Sequence, residues 1–221
     1  MNIEQFSKWN AWHLKEKHEI KNCGDEWKDQ AKFCKQSYED WKKSLIDTFM
    51  FPYIHSQSNV LEIACGHGRW TEYLLKVAKE VFAVDVRQKF LDFCKERFKC
   101  VTNLNLILKT EKELEINKKI DFVWSYDSFV HFNPEIVFNY IKFFGKCMKK
   151  DAIGVIHHAN TKVKTGAFGN RAYMTKELFA EMLNETGLKI VRQTDEWGSN
   201  KQYNCKHCSD FISVFIQTKE I

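Results

Sequence analysis

The sequence predicts a doubly wound α/β domain built on a seven-stranded, mostly parallel sheet whose last strand closes an antiparallel C-terminal hairpin. Two observations carry that expectation. From residue 59 onward, short apolar runs alternate with longer amphipathic stretches, the rhythm of strand and crossover helix. The runs are nearly continuous rather than alternating, which suits strands covered on both faces. A chain of 221 residues with no internal repeat and no Pro/Gly-rich linker then fits one hydrophobic core.

Residues 1–52 read as an N-terminal helical extension of the same domain. Trp9, Trp12, Phe33 and Trp41 sit among many charges, and Cys23-Gly24 breaks the pattern. A short helix around 26–35 leads to a longer one near 38–50, where Trp41, Leu45, Ile46 and Phe49 recur at three and four residues. Such a segment either packs against a sheet edge or covers a cleft as an aromatic lid, and both need an apolar face.

Residues 53–221 carry the main domain. Asn59 to Ala64 is the first strand, ended by Cys65-Gly66-His67-Gly68. A helix from Arg69 to Ala78 places Trp70, Tyr73, Leu74 and Ala78 on one stripe, and Val81 to Val84 forms a strand that stops at Asp85. Phe90, Leu91, Cys94 and Phe98 mark the next helix, followed by strands at 104–108 and 120–124. Asn133-Pro134-Glu135 starts a helix: Asn can cap, Pro fits the first turn, and Glu favours the positive end. Its stripe runs Val137, Tyr140, Ile141, Phe144, Met148. Ala152 to Ile156 is the fifth strand, ending at His157-His158-Ala159-Asn160, and 161–174 with Gly166 and Gly169 is a loop. Thr175 caps a helix bearing Leu178, Phe179, Met182 and Leu183 that stops near Gly187. Two strands, 188–193 and 211–218, enclose a polar loop at 194–210.

Composition narrows the function. Lys plus Arg is 34 against 29 for Asp plus Glu, a net charge of +5 spread without a dense basic tract, so nucleic acid is not the expected partner. No apolar run approaches the roughly 20 residues that span a bilayer. The start lacks the charged and apolar regions of a secretory signal, which makes the cytoplasm the expected location. Eight cysteines in a chain of this size read as reduced thiols. Cys205-Lys206-His207-Cys208 is one ligand pair, too few for a zinc site by itself, and no metal is expected.

The junction of the first strand and helix holds the first chemical signal. Gly66 and Gly68 let the backbone turn sharply and approach a ligand, while the following helix start offers unpaired N–H groups. Asp85, ending the second strand 17 residues past Gly68, is placed to accept both hydroxyls of a ribose. Glu62 inside the strand end would repel a pyrophosphate but can hold an aminoacyl ammonium, which argues against NAD. No GxxxxGK[ST] is present for a P-loop.

These residues carry a resemblance. Val60-Leu61-Glu62-Ile63-Ala64-Cys65-Gly66-His67-Gly68-Arg69 resembles the first motif of class I S-adenosylmethionine-dependent methyltransferases, with Ala64 in place of a first glycine. Phe82-Ala83-Val84-Asp85 resembles the second motif, and Phe122 to His131 the motif ending the fourth strand. The likeness covers about 50–221 and suggests the small-molecule branch, sugar modification included. It implies a Rossmann-like sheet, S-adenosylmethionine as cofactor, and a cofactor set of Glu62, Ala64, Gly66, Gly68, Asp85, Thr110 and Tyr126. Thr110 stands where an adenine neighbour belongs, with Glu111 beside it.

Methyl transfer is an in-line displacement on an activated carbon, so alignment does most of the work. A hydroxyl nucleophile also needs a base, and histidine suits that task. Asp127 and His131 follow the fourth strand, and His157 and His158 the fifth. These four are the catalytic candidates, with Asn160 and Arg171 as substrate contacts, Arg171 through its planar fork. Trp197 and Tyr203 are further candidates for an aromatic wall. Asp127 and Asn160 are also the ligands a magnesium-dependent variant would use, although Mg²⁺ prefers a purely oxygen shell. The expected acceptor is a small molecule, foremost a hydroxyl of a sugar or related metabolite. The alternatives are a small amine, or a nucleotide-binding regulatory protein without catalysis. Nothing in the sequence sets the oligomeric state.

Overall fold

The computed structural model describes residues 25–110, 114–162 and 171–220. Trp9, Trp12, the Cys23-Gly24 break, Glu111, Gly166 and Gly169 lie outside the described residues.

In chain order the strands are β1 (Asn59–Ile63), β2 (Glu80–Asp85), β3 (Leu104–Leu108), β4 (Ile120–Ser125), β5 (Met148–Ala159), β6 (Leu188–Thr194), the short β7 (Glu196–Trp197) and β8 (Tyr203–Asn204), and β9 (Asp210–Gln217). Seven form one sheet in the order β3-β2-β1-β4-β5-β9-β6. β9 runs antiparallel to both its neighbours, and the remaining pairs are parallel. This is the expected Rossmann-like sheet with its C-terminal hairpin. Strand order reverses at β1, so β2 and β4 lead away from it on opposite sides. Their carboxyl ends leave a crevice there, the usual ligand position in such sheets.

The helices are α1 (Tyr38–Phe49), α2 (Thr71–Leu74), α3 (Gln88–Arg97), α4 (Pro134–Cys147) and α5 (Lys176–Glu185). Strand parity sorts them into two layers, because successive side chains point to opposite faces. Val60, Val81, Phe122, Trp124 and Val214 pack with Trp41, Leu45 and Phe49 of α1, Leu74 of α2 and Leu91 of α3. Leu61, Val84, Val123 and Phe215 pack with Ile141 and Phe144 of α4 and Phe179 of α5. α1 therefore lies on a sheet face, not at the edge. Ser37 caps it by accepting from Asp40 N, and Thr175 caps α5 by accepting from Leu178 N. No helix among the described residues is long and apolar enough to cross a membrane.

Several boundaries differ from the sequence reading. The stretch 25–34 is a 3-10 helix, and the helix expected over Arg69–Ala78 is regular only at Thr71–Leu74. Met148 begins β5 instead of continuing α4, because its neighbour Ile120 recruits it to the sheet. β5 runs on to Ala159 because β9 pairs with it to that point, so His157 and His158 lie inside the strand opposite Ile212 and Phe211. The expected loop at 194–210 carries the β7–β8 ribbon, and Trp197 is 1% exposed, donating from Nε1 to Ser44 Oγ at 2.8 Å. Trp197 is thus a core residue, not part of a ligand wall.

Gly154 of β5 lies directly opposite Phe215, whose ring is fully buried. A Cβ at Gly154 would sit 2.1 Å from that ring. Gly154→Ala is expected to destabilise the protein by about 1–3 kcal/mol, read as a lowered urea midpoint at unchanged slope. An unchanged midpoint would contradict this strand register.

Candidate functional site

The turn after β1 is built by its backbone. Ala64, Gly66 and Gly68 have φ of 61°, 54° and 81°, all left-handed. At Gly68 a Cβ would meet the Phe98 ring at 2.6 Å, so only glycine fits between turn and α3. At Gly66 the same direction opens onto space free of atoms within 4 Å. Asp85 fastens the turn to β2: its Oδ2 accepts from Gly66 N at 3.0 Å and its Oδ1 from Arg87 N at 3.0 Å. Burial pushes the Asp85 carboxyl up to about 6 despite those bonds.

Glu62 is 1% exposed at the end of β1. Its Oε2 accepts from Thr71 Oγ1 at 2.6 Å, whereas Oε1 is buried without a partner. Burial raises its pKa to about 8, with the Thr71 bond acting in the opposite direction. A buried acceptor left unmade is a place for a donor, and an aminoacyl ammonium supplies one. With the open side of Gly66 and the carboxylate of Asp85, these residues fit the amino-acid and ribose ends of S-adenosylmethionine. Thr110 is exposed just past β3, where Lys109 N bonds Asp85 O at 2.8 Å.

The second cluster stands at the ends of β4, β5 and β9. Tyr126 stacks on His157 with ring centroids 4.2 Å apart, and Trp124, Trp70 and Trp41 surround it. Asp127 follows with φ 71°, and its N–H donates to His157 Nδ1 at 3.1 Å. That bond puts the remaining ring proton on Nε2, which lies 3.4 Å from Asp210 Oδ2. Burial lowers His157 to about 3, so the ring is neutral. Arg171 grips Asp210 from Nε at 3.0 and 3.1 Å and from Nη2 at 2.6 Å. Burial raises Asp210 to about 7 against the pull of that guanidinium. Around Asp127, burial is more than reversed by His157, Arg171, Arg69 and His131, which hold its carboxyl below the ordinary value. From the N-terminal segment, Gln30 Nε2 donates to Asp127 Oδ2 at 2.7 Å, leaving Gln30 Oε1 buried and unpartnered.

The structure therefore brings Tyr126, Asp127, His157 and Arg171 together and adds Gln30 and Asp210. His131 lies in the 3-10 turn at 129–131, buried and within electrostatic reach of Asp127. His158 points to the opposite face of β5, where its ring stacks on Phe179. Its Nδ1 meets Ala159 O at 2.8 Å and its Nε2 meets Ser213 Oγ at 2.7 Å. Asn160 Oδ1 accepts from Lys176 N at 2.9 Å and so closes the first turn of α5. Arg171 has the Nε/Nη2 edge of its fork filled by Asp210. Among the described residues no three His, Cys, Asp or Glu side chains stand together as a metal site.

Residues 60–151 match a family model described as a methyltransferase domain. Solved structures with the same fold include an S-adenosylmethionine-dependent methyltransferase from Clostridium acetobutylicum at 16% identity and TM-score 0.68, covering 86% of this chain and 96% of that one. N-methyltransferase NodS from Bradyrhizobium japonicum, solved with S-adenosyl-L-homocysteine, aligns at 17% identity and TM-score 0.61 over 82% of this chain and 87% of that one. A putative methyltransferase complexed with the Trm112 activator from Haloferax volcanii is also similar, at 12% identity and TM-score 0.67, over 96% and 98% of the two chains. No curated protein matches by sequence.

The unpartnered Glu62 oxygen generates a proton-linkage prediction. Free Glu62 is mostly protonated at neutral pH, and an ammonium against it favours the carboxylate. Binding then releases a proton, and affinity rises with pH until about 8. Calorimetry of S-adenosylhomocysteine near pH 7 in phosphate and in Tris is expected to show release of roughly one proton, largely lost in Glu62→Gln. Equal heats in the two buffers would remove Glu62 from the ammonium.

Proposed function

We propose that this chain is a class I S-adenosylmethionine-dependent methyltransferase, as its match to a methyltransferase-domain model over residues 60–151 supports, and that it methylates a small-molecule amine at the carboxyl ends of β4 and β5. The cofactor supplies a methyl group already activated by its sulfonium. In this reading the protein's own residues bind, orient and exclude water. Glu62 and Asp85 hold the two ends of the cofactor, the turn at 64–68 cradles it, and Tyr126 forms a wall. The 3-10 segment Asp25–Cys34 covers the crevice, tied down by Gln30 on Asp127 and by Cys34, whose Sγ bonds both the N–H and the carbonyl of Asn204.

The choice of an amine over the hydroxyl expected from sequence rests on one observation: the lone pairs of His157 and His158 are already used. Asp127 N–H occupies His157 Nδ1, and both nitrogens of His158 are bonded within the core. A hydroxyl must lose a proton as it attacks, whereas a neutral amine attacks directly and sheds its proton afterwards. Asp127 and the unpartnered Gln30 Oε1 are acceptors, suited to N–H groups on an incoming amine. An ionised Asp127 also favours an acceptor that arrives as a cation. NodS, named an N-methyltransferase, has the same fold.

Labelled methyl transfer, screened over primary and secondary amines and over sugar hydroxyls, tests the reading. Amine turnover is expected, rising with pH as the amine loses its proton. His131→Ala and His157→Gln should each keep kcat within about tenfold, while Asp127→Asn raises KM by about tenfold or more. Hydroxyl turnover that falls by about 10²–10⁴ in His131→Ala would replace the amine with an O-methylation mechanism. Cofactor binding without transfer to any acceptor would favour the regulatory alternative.

A further inference from the structure

The 3-10 segment Asp25–Cys34 is pinned at both ends. At its start Asp25 Oδ1 accepts from Tyr38 Oη at 2.5 Å and from Lys42 Nζ at 2.8 Å. At its end Cys34 Sγ bonds the carbonyl and the N–H of Asn204 at 3.3 and 3.2 Å, and the neighbouring Phe33 stacks on His207 with centroids 3.9 Å apart. Gln30 lies between these anchors, so its amide is held in place against Asp127.

Charge fixes which way that amide faces. Burial disfavours an ionised Asp127, but His157, Arg171, Arg69 and His131 keep it so. An ionised carboxylate only accepts, so the Gln30 nitrogen must face it, as the 2.7 Å bond from Nε2 to Oδ2 shows. The amide oxygen then points elsewhere. Oε1 is buried and has no hydrogen-bond partner among the described residues. Because nitrogen and oxygen share one carbon, Oε1 stands beside the Asp127 carboxylate. Asp127 has lone pairs to spare, and its side chain is still 13% exposed, within reach of a ligand.

Two neighbouring acceptors call for a nitrogen with two N–H groups. A neutral primary amine has two, and with both bonded its lone pair is left to point at the methyl carbon. A neutral secondary amine has one. The charged Asp127 is the stronger acceptor and takes it, which leaves an N-methyl group against Oε1 and that buried oxygen unmade. We propose that Gln30 is a specificity-determining residue that selects primary amines and stops transfer after one methyl group. This rests on the reading that the chain methylates an amine beside Asp127. In the transfer the amine lone pair forms the N–C bond while the sulfonium C–S bond breaks, its electron pair staying on sulfur. The product is a secondary ammonium, which bonds both acceptors and has no lone pair. To react again it must give a proton to solvent and lose one of those two bonds.

The test compares the full chain with Gln30→Met, which keeps the side-chain length and removes the carbonyl. The probes are ethanolamine, 2-phenylethylamine and glucosamine, each with its N-methyl and N,N-dimethyl forms, and mass spectrometry follows the products. On the unsubstituted chain, kcat/KM for a primary amine is expected to exceed that for its N-methyl form by about 10- to 100-fold, with monomethyl product dominant. In Gln30→Met the ratio should fall to within about threefold and dimethyl product should accumulate. A merely structural role would lower both rates together and leave their ratio alone. Calorimetry with S-adenosylhomocysteine present reads the same contact without transfer. The N-methyl ammonium, with two N–H groups, should bind the unsubstituted chain about tenfold more tightly than the N,N-dimethyl form, which has one, and this gap should close in Gln30→Met. Circular dichroism establishes folding, and if Gln30→Met does not fold, the unsubstituted chain and Gln30→Ala decide. Dimethyl product formed as readily as monomethyl by the unsubstituted chain overturns the proposal, as does an unchanged ratio in a folded Gln30 variant. Methylation of none of the three amines overturns the amine reading as well, which separates the two failures.

Discussion

A single carboxylate holds the turn after β1 in shape. Asp85 accepts from Gly66 N and from Arg87 N, tying the turn after β1 to the start of the connection after β2. Without that tie, three successive left-handed positions at 64, 66 and 68 would have little to hold them, since each is strained for most residues. The turn in turn sets where β1 ends and where α2 begins, hence where Glu62 and Arg69 stand. Its close seat against Phe98 fixes α3 to the same point. Raising the Asp85 pKa to about 6 is the consequence of placing this tie in a buried crevice. Ribose hydroxyls would join two backbone donors already favouring the ionised form.

The other half of the site depends on a different kind of constraint, opposite charges buried together. Arg171 and Asp210 come from a loop and a strand far apart in sequence, and their bidentate pair is nearly sealed from solvent. Breaking such a pair by removing one partner costs about 3–5 kcal/mol, because the other charge is left in place. Around it, His157 is fixed on two sides by the Asp127 amide and the Tyr126 ring. A neutral, immobile imidazole there is a brace. It aims the Asp127 backbone, whose left-handed conformation in turn directs the carboxylate toward the N-terminal segment.

Much of this architecture was legible in the residues. Apolar runs without alternation announced covered parallel strands, and Gly66, Gly68 and Asp85 announced a tight turn between β1 and the helix after it. The misreadings cluster where pairing, not composition, decides. Ala152 to Ile156 looked complete as a strand, yet β9 extends it to Ala159, and parity then sends His157 and His158 to opposite faces. Counting 153, 155, 157 as one face would have separated the two histidines from sequence alone. Asp210 was missed because a carboxylate at a strand start reads as solvent-facing, and only Arg171 explains its burial. Gln30 had no signal, because nothing local says which amide will reach across to Asp127. The chain prefers lysine over arginine.

That preference bears on how the site divides its work. Lysine serves the exposed pairs, such as Lys76 with Glu72 and Lys99 with Glu96, where a hydrated point charge contributes little. Arginine appears at the two buried positions, 69 and 171, where a planar fork can be satisfied without water. One fork is closed by the protein itself and ties the start of β9 through Asp210. The other lies among the rings of Tyr38, Trp41 and Trp70 just past the glycine turn. The closed ion pair contributes rigidity, and the aromatic cage holds its guanidinium by ring faces in place of a carboxylate. The difference follows from position: Arg171 joins the chain just before α5 to the start of β9, while Arg69 follows directly on the glycine turn.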